Sequence, residues 1–94
     1  MKQTKQFYLN AIYDSAKSFY NKAVVVENGN TKTLKSYNTN ILTLDTTTNE
    51  IVWMTKNINH FTMTTNRHIN EFLKQFCGLN ESLTKKEIIK IATF

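Results

Sequence analysis

The sequence predicts a small α+β domain: an antiparallel sheet of three to five strands with a helix laid across one face. β-branched and aromatic residues crowd the stretch from Phe19 to Tyr37 around an Asn28-Gly29 pair, the signal of a 19–37 hairpin. Apolar residues then recur three and four apart between Thr65 and Phe76, as a helix with one buried stripe requires. Strands come first and helices last, so the helices should gather on one side of the sheet. With 94 residues the chain should make one domain, residues 1–94, with one modest core.

Taken in order, residues 4–16 carry Phe7, Tyr8, Ala11, Ile12 and Ala16 at helical spacing, which predicts a short N-terminal helix. Phe19, Tyr20 and Val24-Val25-Val26 read as a strand, and Asn28-Gly29 supplies the two positive-φ positions of a type I′ turn. Asn30 to Tyr37 is the return strand. In that register Tyr20 faces Tyr37, Lys22 faces Lys35 and Val24 faces Thr33; a three-residue loop would instead separate the two lysines. Ile41 to Leu44 reads as a third strand, and Thr46 to Asn49 as a polar turn. Ile51-Val52-Trp53-Met54 is apolar on both faces, the pattern of a central strand. Ile58 to Phe61 is a candidate short strand leading into the main helix.

That helix is expected over 63–76, with Thr62 as its N-cap. Thr65, Ile69, Phe72, Leu73 and Phe76 share its inner stripe, and Gly78 stops it. Thr84 and Glu87 form a capping box for a short C-terminal helix, with Leu83 placed to staple to Ile88.

The residue types that carry chemistry are few and poorly spaced for it. His60, His68 and Cys77 are the soft ligands and nucleophile candidates. His60 and His68 stand eight apart with a helix start between them. His68 and Cys77 stand nine apart, about 900° of helix, so they point to opposite sides. Neither spacing suits a metal pair or a Cys-His dyad. Gly29 and Gly78 are the only glycines, so there is no glycine-rich phosphate loop. Arg67 is spaced for a surface ion pair with Glu71, and Asp45 and Glu50 flank a turn. We therefore expect no enzyme, no cofactor and no metal.

The chain carries a net charge of +5, with lysines concentrated towards both ends. That charge eases the approach of anionic partners without proving one. A lone cysteine suits a reducing compartment. With no unbroken apolar stretch for a signal peptide or a membrane span, the expected location is the cytoplasm. The face bearing Tyr20, Lys22, Lys35 and Tyr37 suits base stacking beside phosphate contacts, the basis for a nucleic-acid-binding reading. Arg67, the only arginine, should face away from the core. His68 sits at the edge of the apolar stripe, within reach of the sheet.

Three segments carry a resemblance. Lys17-Ser18-Phe19-Tyr20 with Lys22-Ala23, then Leu34-x-Ser36-Tyr37-Asn38-Thr39, then Thr62-x-Thr64-Thr65-x-Arg67-His68-Ile69-x-Glu71-Phe72-Leu73 resemble an uncharacterised family of short proteins from phages and mobile elements of low-GC bacteria. The last motif is the most specific; Thr62 replaces a usual Ser, and Asn21 replaces a frequent Gly. The resemblance implies a phage setting and no catalytic activity. Small phage proteins of this kind act by binding. The expected function is a non-catalytic protein acting on a host protein or nucleoprotein, for example as an inhibitor of host defence. The alternatives are the nucleic-acid-binding module and a structural or accessory phage protein.

Overall fold

Five strands run in chain order across one antiparallel sheet: β1 (Thr4–Tyr8), β2 (Ala23–Asn28), β3 (Thr31–Ser36), β4 (Thr39–Asp45) and β5 (Glu50–Trp53). Two helices follow, α1 (Met63–Phe76) and α2 (Lys85–Ile91). The computed structural model describes residues 4–14, 19, 22–37, 39–54 and 63–91. Thr62 as N-cap, the Ile58–Phe61 strand, and the positions of Tyr20 and His60 lie outside the described residues. The α+β class and the 63–76 helix are as the sequence predicts.

The N-terminal helix is not present where it was expected. Residues 4–8 form a strand along β2, from Thr4 opposite Asn28 to Tyr8 opposite Val24. Of the apolar residues that set the three-four spacing, only Phe7 and Tyr8 lie in this strand, and they are adjacent, on opposite faces of the sheet. A short helix is marginal by itself, whereas the open edge of valine-rich β2 offers a full hydrogen-bond ladder.

The hairpin forms, but its turn is Gly29-Asn30 and Asn28 pairs with Thr31. Gly29 takes φ 62° and Asn30 stays at negative φ, the pattern of a type II′ turn with glycine first. Lys35 consequently opposes Val24, and Lys22 does not face it. The observed register sets Val25 against Leu34 on the core face and Glu27 against Lys32, whose ammonium bonds the carboxylate at 2.5 Å. It thus replaces a like-charge pair with an opposite-charge one.

Between β3 and β4 the register shifts after Leu34: Leu34 faces Leu42, and Lys35 faces Asn40. This bulge lets the consecutive residues Ile41 and Leu42 both be buried, which plain alternation forbids. Among the described residues β5 is the last strand of the sheet, at its edge rather than at the centre expected for it. Its apolar residues divide: Ile51 and Trp53 pack towards the core, while Val52 and Met54 are exposed on the opposite face.

Val25, Leu34, Leu42 and Leu44 supply the sheet side of the core. Ile69, Phe72 and Leu73 of α1 cover them, with Ile88 of α2 fully buried at one end. Each such side chain contributes about 1.5–3 kcal/mol on burial. The Phe72 and Phe76 rings meet at 5.1 Å, tilted by 58°. Gly78 takes φ 73° and lets Leu79 N–H reach the Leu73 carbonyl, ending α1. The capping box closes as expected: Glu87 N–H donates to Thr84 Oγ1 and Thr84 N–H donates to Glu87.

Candidate functional site

The inner end of α1 does more than pack. His68 is fully buried, and its Nδ1 lies 2.8 Å from Ser36 Oγ of β3. Ser36 Oγ also lies 3.0 Å from Thr65 Oγ1, one helical turn before His68. Phe19 meets the imidazole edge to face at 4.6 Å, and the Tyr37 ring tilts beside it at 5.8 Å. One residue or more from each of the three motif segments thus converges on one imidazole. Burial holds His68 down to about 4; Asp14 opposes that shift and Arg67 adds to it. The ring is therefore neutral at physiological pH. Its Nε2 has no hydrogen-bond partner among the described residues.

Tyr37 adds a second unusual feature. It is half exposed yet holds φ at 51°, a left-handed conformation uncommon for a residue with a bulky side chain. Its N–H donates to the Lys22 carbonyl at 3.0 Å, which extends the β2–β3 pairing past Ala23. That backbone hold, with the ring beside His68, keeps Tyr37 at the mouth of the buried cluster.

Two flanks of α1 are stitched to the rest of the chain by polar side chains. On one flank Glu71, 1% exposed, accepts the Tyr13 and Asp14 N–H groups at 2.9 Å each, with Gln75 Nε2 donating to it as well. On the other, Asn70 forms a two-way amide clamp: its Nδ2 donates to the Leu83 carbonyl at 2.9 Å and Leu83 N–H donates back at 2.6 Å. Asn66 Nδ2 reaches the same carbonyl at 3.4 Å, and its Oδ1 is buried with no partner among the described residues.

Arg67 faces outward, but its ion pair is with Asp14 and not with Glu71. Nε lies 3.1 and 3.0 Å from the two Asp14 oxygens, and Nη2 bonds Oδ1. Burial of Glu71 under the 9–14 segment removes it from reach and brings Asp14 in its place. The Asp14 contact raises the guanidinium pKa further above its already high value. Arg67, Asp14, Tyr13 and Lys74 line a shallow groove of about 550 Å³ floored by Asn70 and Glu71. Its charges, two of each sign, balance.

The uncovered face of the sheet holds the remaining sequence-predicted residues. Cross-strand pairing puts Tyr8, Val24, Lys35 and Asn40 in one row, and Gln6, Val26, Thr33, Thr43 and Val52 in the next. Lys22 is exposed beside this end of the sheet. Tyr37 has left the lysine face for His68, so the structure does not gather Lys22, Lys35 and Tyr37 into one stacking platform. Thr33 Oγ1 and Thr43 Oγ1 lie 2.9 Å apart, and Thr43 donates to Met54 Sδ at 2.8 Å. These hydroxyls are thus hydrogen-bonded within the face.

Sequence reasoning missed the polar ties made by Asp14 to Arg67, by Ser36 and Thr65 at His68, and by Asn66 and Asn70 to Leu83. The available signal was the density of polar side chains at 64–68, 70 and 71 in a helix with flanking segments to attach. Among the described residues no three His, Cys, Asp or Glu side chains are grouped to hold a metal ion. The Cys77 thiol, at the end of α1, is pushed up by partial burial and stays protonated at neutral pH. No described helix is long and apolar enough to cross a membrane.

Neither a curated protein nor a solved structure matches the chain. A family model does, from Phe7 in β1 to Lys90 in α2, taking in nearly the whole sheet and both helices: the chain belongs to the family of unknown function DUF8033.

Proposed function

We propose that this is a non-catalytic binding protein whose uncovered sheet face docks against a protein partner. The observation that carries the reading is the make-up of that face. Val52 is 62% exposed and Met54 47%, beside Val24, Val26 and the paired threonines. A sheet face turned only to water is ordinarily polar, in a clean alternation with the buried one. Here Val24, Val26, Val52 and Met54 stand among Gln6, Thr33 and Thr43, with Lys35 at one end and Asp45 and Glu50 at the other. Exposed aliphatic residues mixed with hydrogen-bonded polar ones inside a charged rim suit a protein interface.

The buried Ser36–His68 pair supports the non-catalytic part. Ser36 is 2% exposed and its hydroxyl is shared between Nδ1 and Thr65, so the pair is out of a substrate's reach and acts as a structural tie. The resemblance to phage proteins supports a host protein or nucleoprotein as the partner, with inhibition of a defence system as one outcome of binding. A nucleic-acid reading keeps one favouring observation: Lys22 and Lys35 stand near one end of this face on a chain of net charge +5.

Immobilised wild-type and Val52→Glu proteins, exposed to bacterial lysate with and without nuclease, test the proposal. The expected result is a partner that survives nuclease treatment and is lost with Val52→Glu. Capture abolished by nuclease, with affinity falling steeply between about 50 and 200 mM salt, would replace it with the nucleic-acid reading.

A further inference from the structure

β1 is a strand with little to bury. All five of its residues are exposed, including Phe7 on the helix-bearing side and Tyr8 on the uncovered side. It ends the sheet, and among the described residues no strand lies beside its far edge. Natural edge strands are blunted by proline, inward-pointing charge or a bulge. β1 has no proline and its register with β2 runs without a shift; its one charge, Lys5, is on the helix-bearing side, where Glu27 of β2 stands opposite it and offsets the charge that would otherwise blunt this edge.

The hydrogen-bond phase of this edge can be worked out. Leu9 N–H donates to the Ala23 carbonyl, which makes residues 9 and 23 a hydrogen-bonded pair. In an antiparallel ladder such pairs alternate with non-bonded ones. Phe7 with Val25 and Lys5 with Glu27 are then bonded pairs as well. Thr4, Gln6 and Tyr8 belong to the non-bonded pairs and turn their N–H and C=O groups to the open edge.

We infer that this edge is a self-association site, in which β1 pairs antiparallel with β1 of a second copy about a two-fold axis through Gln6. In that register Thr4 of one copy faces Tyr8 of the other, Lys5 faces Phe7, and Gln6 faces Gln6. The outward-turned residues 4, 6 and 8 meet one another, so each of those pairs exchanges two backbone bonds. No like charges oppose, and each lysine meets an aromatic ring, a favourable contact. Centring the axis on Lys5 instead would put two ammonium groups face to face. The opposite edge is poorer, because β5 has four residues and its bonded pairs, running from Ile41 with Met54, leave Ile51 and Trp53 alone facing out.

The two-fold axis stands perpendicular to the sheet, as an isologous antiparallel edge contact requires. The helices of both copies then lie on one side, and the two uncovered faces join into one surface. The inference does not depend on what that surface binds.

Sedimentation velocity over about a hundred-fold range of concentration tests it, with Gln6→Pro as the discriminating variant. Gln6 N–H is not used by β2, and proline is tolerated where a strand's N–H faces outward. The expected result is a wild type moving towards twice the chain mass, with Gln6→Pro weakening dimerisation about tenfold or more and leaving circular dichroism unchanged. If Gln6→Pro does not fold, Gln6→Lys serves, since it places like charges across the axis at an exposed position. A wild type that stays monomeric throughout overturns the inference. So does a dimer that a folded Gln6→Pro or Gln6→Lys variant leaves intact.

Discussion

Ser36 and His68 are tied across 32 residues of sequence by a 2.8 Å hydrogen bond that lies wholly inside the protein. That bond locks the first turns of α1 to the end of β3, and burial of the ring, with Phe19 and Tyr37 packed against it, favours the neutral imidazole. A charged ring there would need solvation that the packing does not provide.

Acid should therefore loosen the protein in a defined window. The folded-state pKa of His68, about 4, lies below the ordinary 6.5, so the unfolded chain binds more protons between those values. Stability then rises with pH across the window: the contribution is whole above about pH 6.5 and lost as pH falls towards 4, about 3 kcal/mol in all. Denaturant midpoints measured from pH 7 to 4 should show this slope in the wild type and a flatter one in His68→Gln. Equal slopes would mean that His68 is not the titrating group.

Phe72→Ala should be the most damaging single truncation, costing about 3–5 kcal/mol in urea unfolding. Phe72 is fully buried between the sheet and Phe76. A cost below about 1 kcal/mol would show that α1 presents another face to the core.

Glu71→Ala should release the 9–14 segment. The Tyr13 and Asp14 amides lose their acceptor, a cost of about 2 kcal/mol or more for bonds to a charged group. Hydrogen exchange should speed up at those two amides far more than in β2 and β3. Uniform acceleration across the sheet would contradict a local clamp.

Asn70→Asp is close to isosteric and asks a single question. The Nδ2 donor that bonds the Leu83 and Asn66 carbonyls becomes an acceptor facing acceptors. A loss of about 2 kcal/mol or more is expected, accompanied by detachment of α2 in an NMR spectrum. An unchanged α2 would show that Ile88 alone holds that helix in place.

Much of this architecture is legible in the residues, and the failures have physical causes. The main helix was bounded at 63 and 76 because a full apolar stripe and a stop glycine agree there. The hairpin was visible, yet its turn slid by one residue, since the choice between Asn28-Gly29 and Gly29-Asn30 rests on the cross-strand pairs each one sets, such as Glu27 with Lys32 and Val25 with Leu34. The N-terminal strand was hidden because Phe7 and Tyr8, its only apolar residues, are adjacent and mark no strand period, and pairing with β2 decides the structure. The Arg67 partner was misread because helix spacing knows nothing of a crossing segment: Glu71 sits four residues away, but the chain at 13 and 14 claims it.

The strand order has a kinetic consequence. Every strand pairs with its neighbour in sequence, so no crossover must be completed before a ladder can close. Each of the described turns closes a short loop, and the entropic cost of closure grows only slowly with length. The sheet can extend outward from β2–β3 one hairpin at a time, with α1 docking last through Ser36 and Leu34. Chains dominated by such near-neighbour pairings fold faster than sheets built from distant ones. The sheet should thus spend little time as a collection of unpaired strands, which matters for a chain whose first strand offers an open edge to its neighbours.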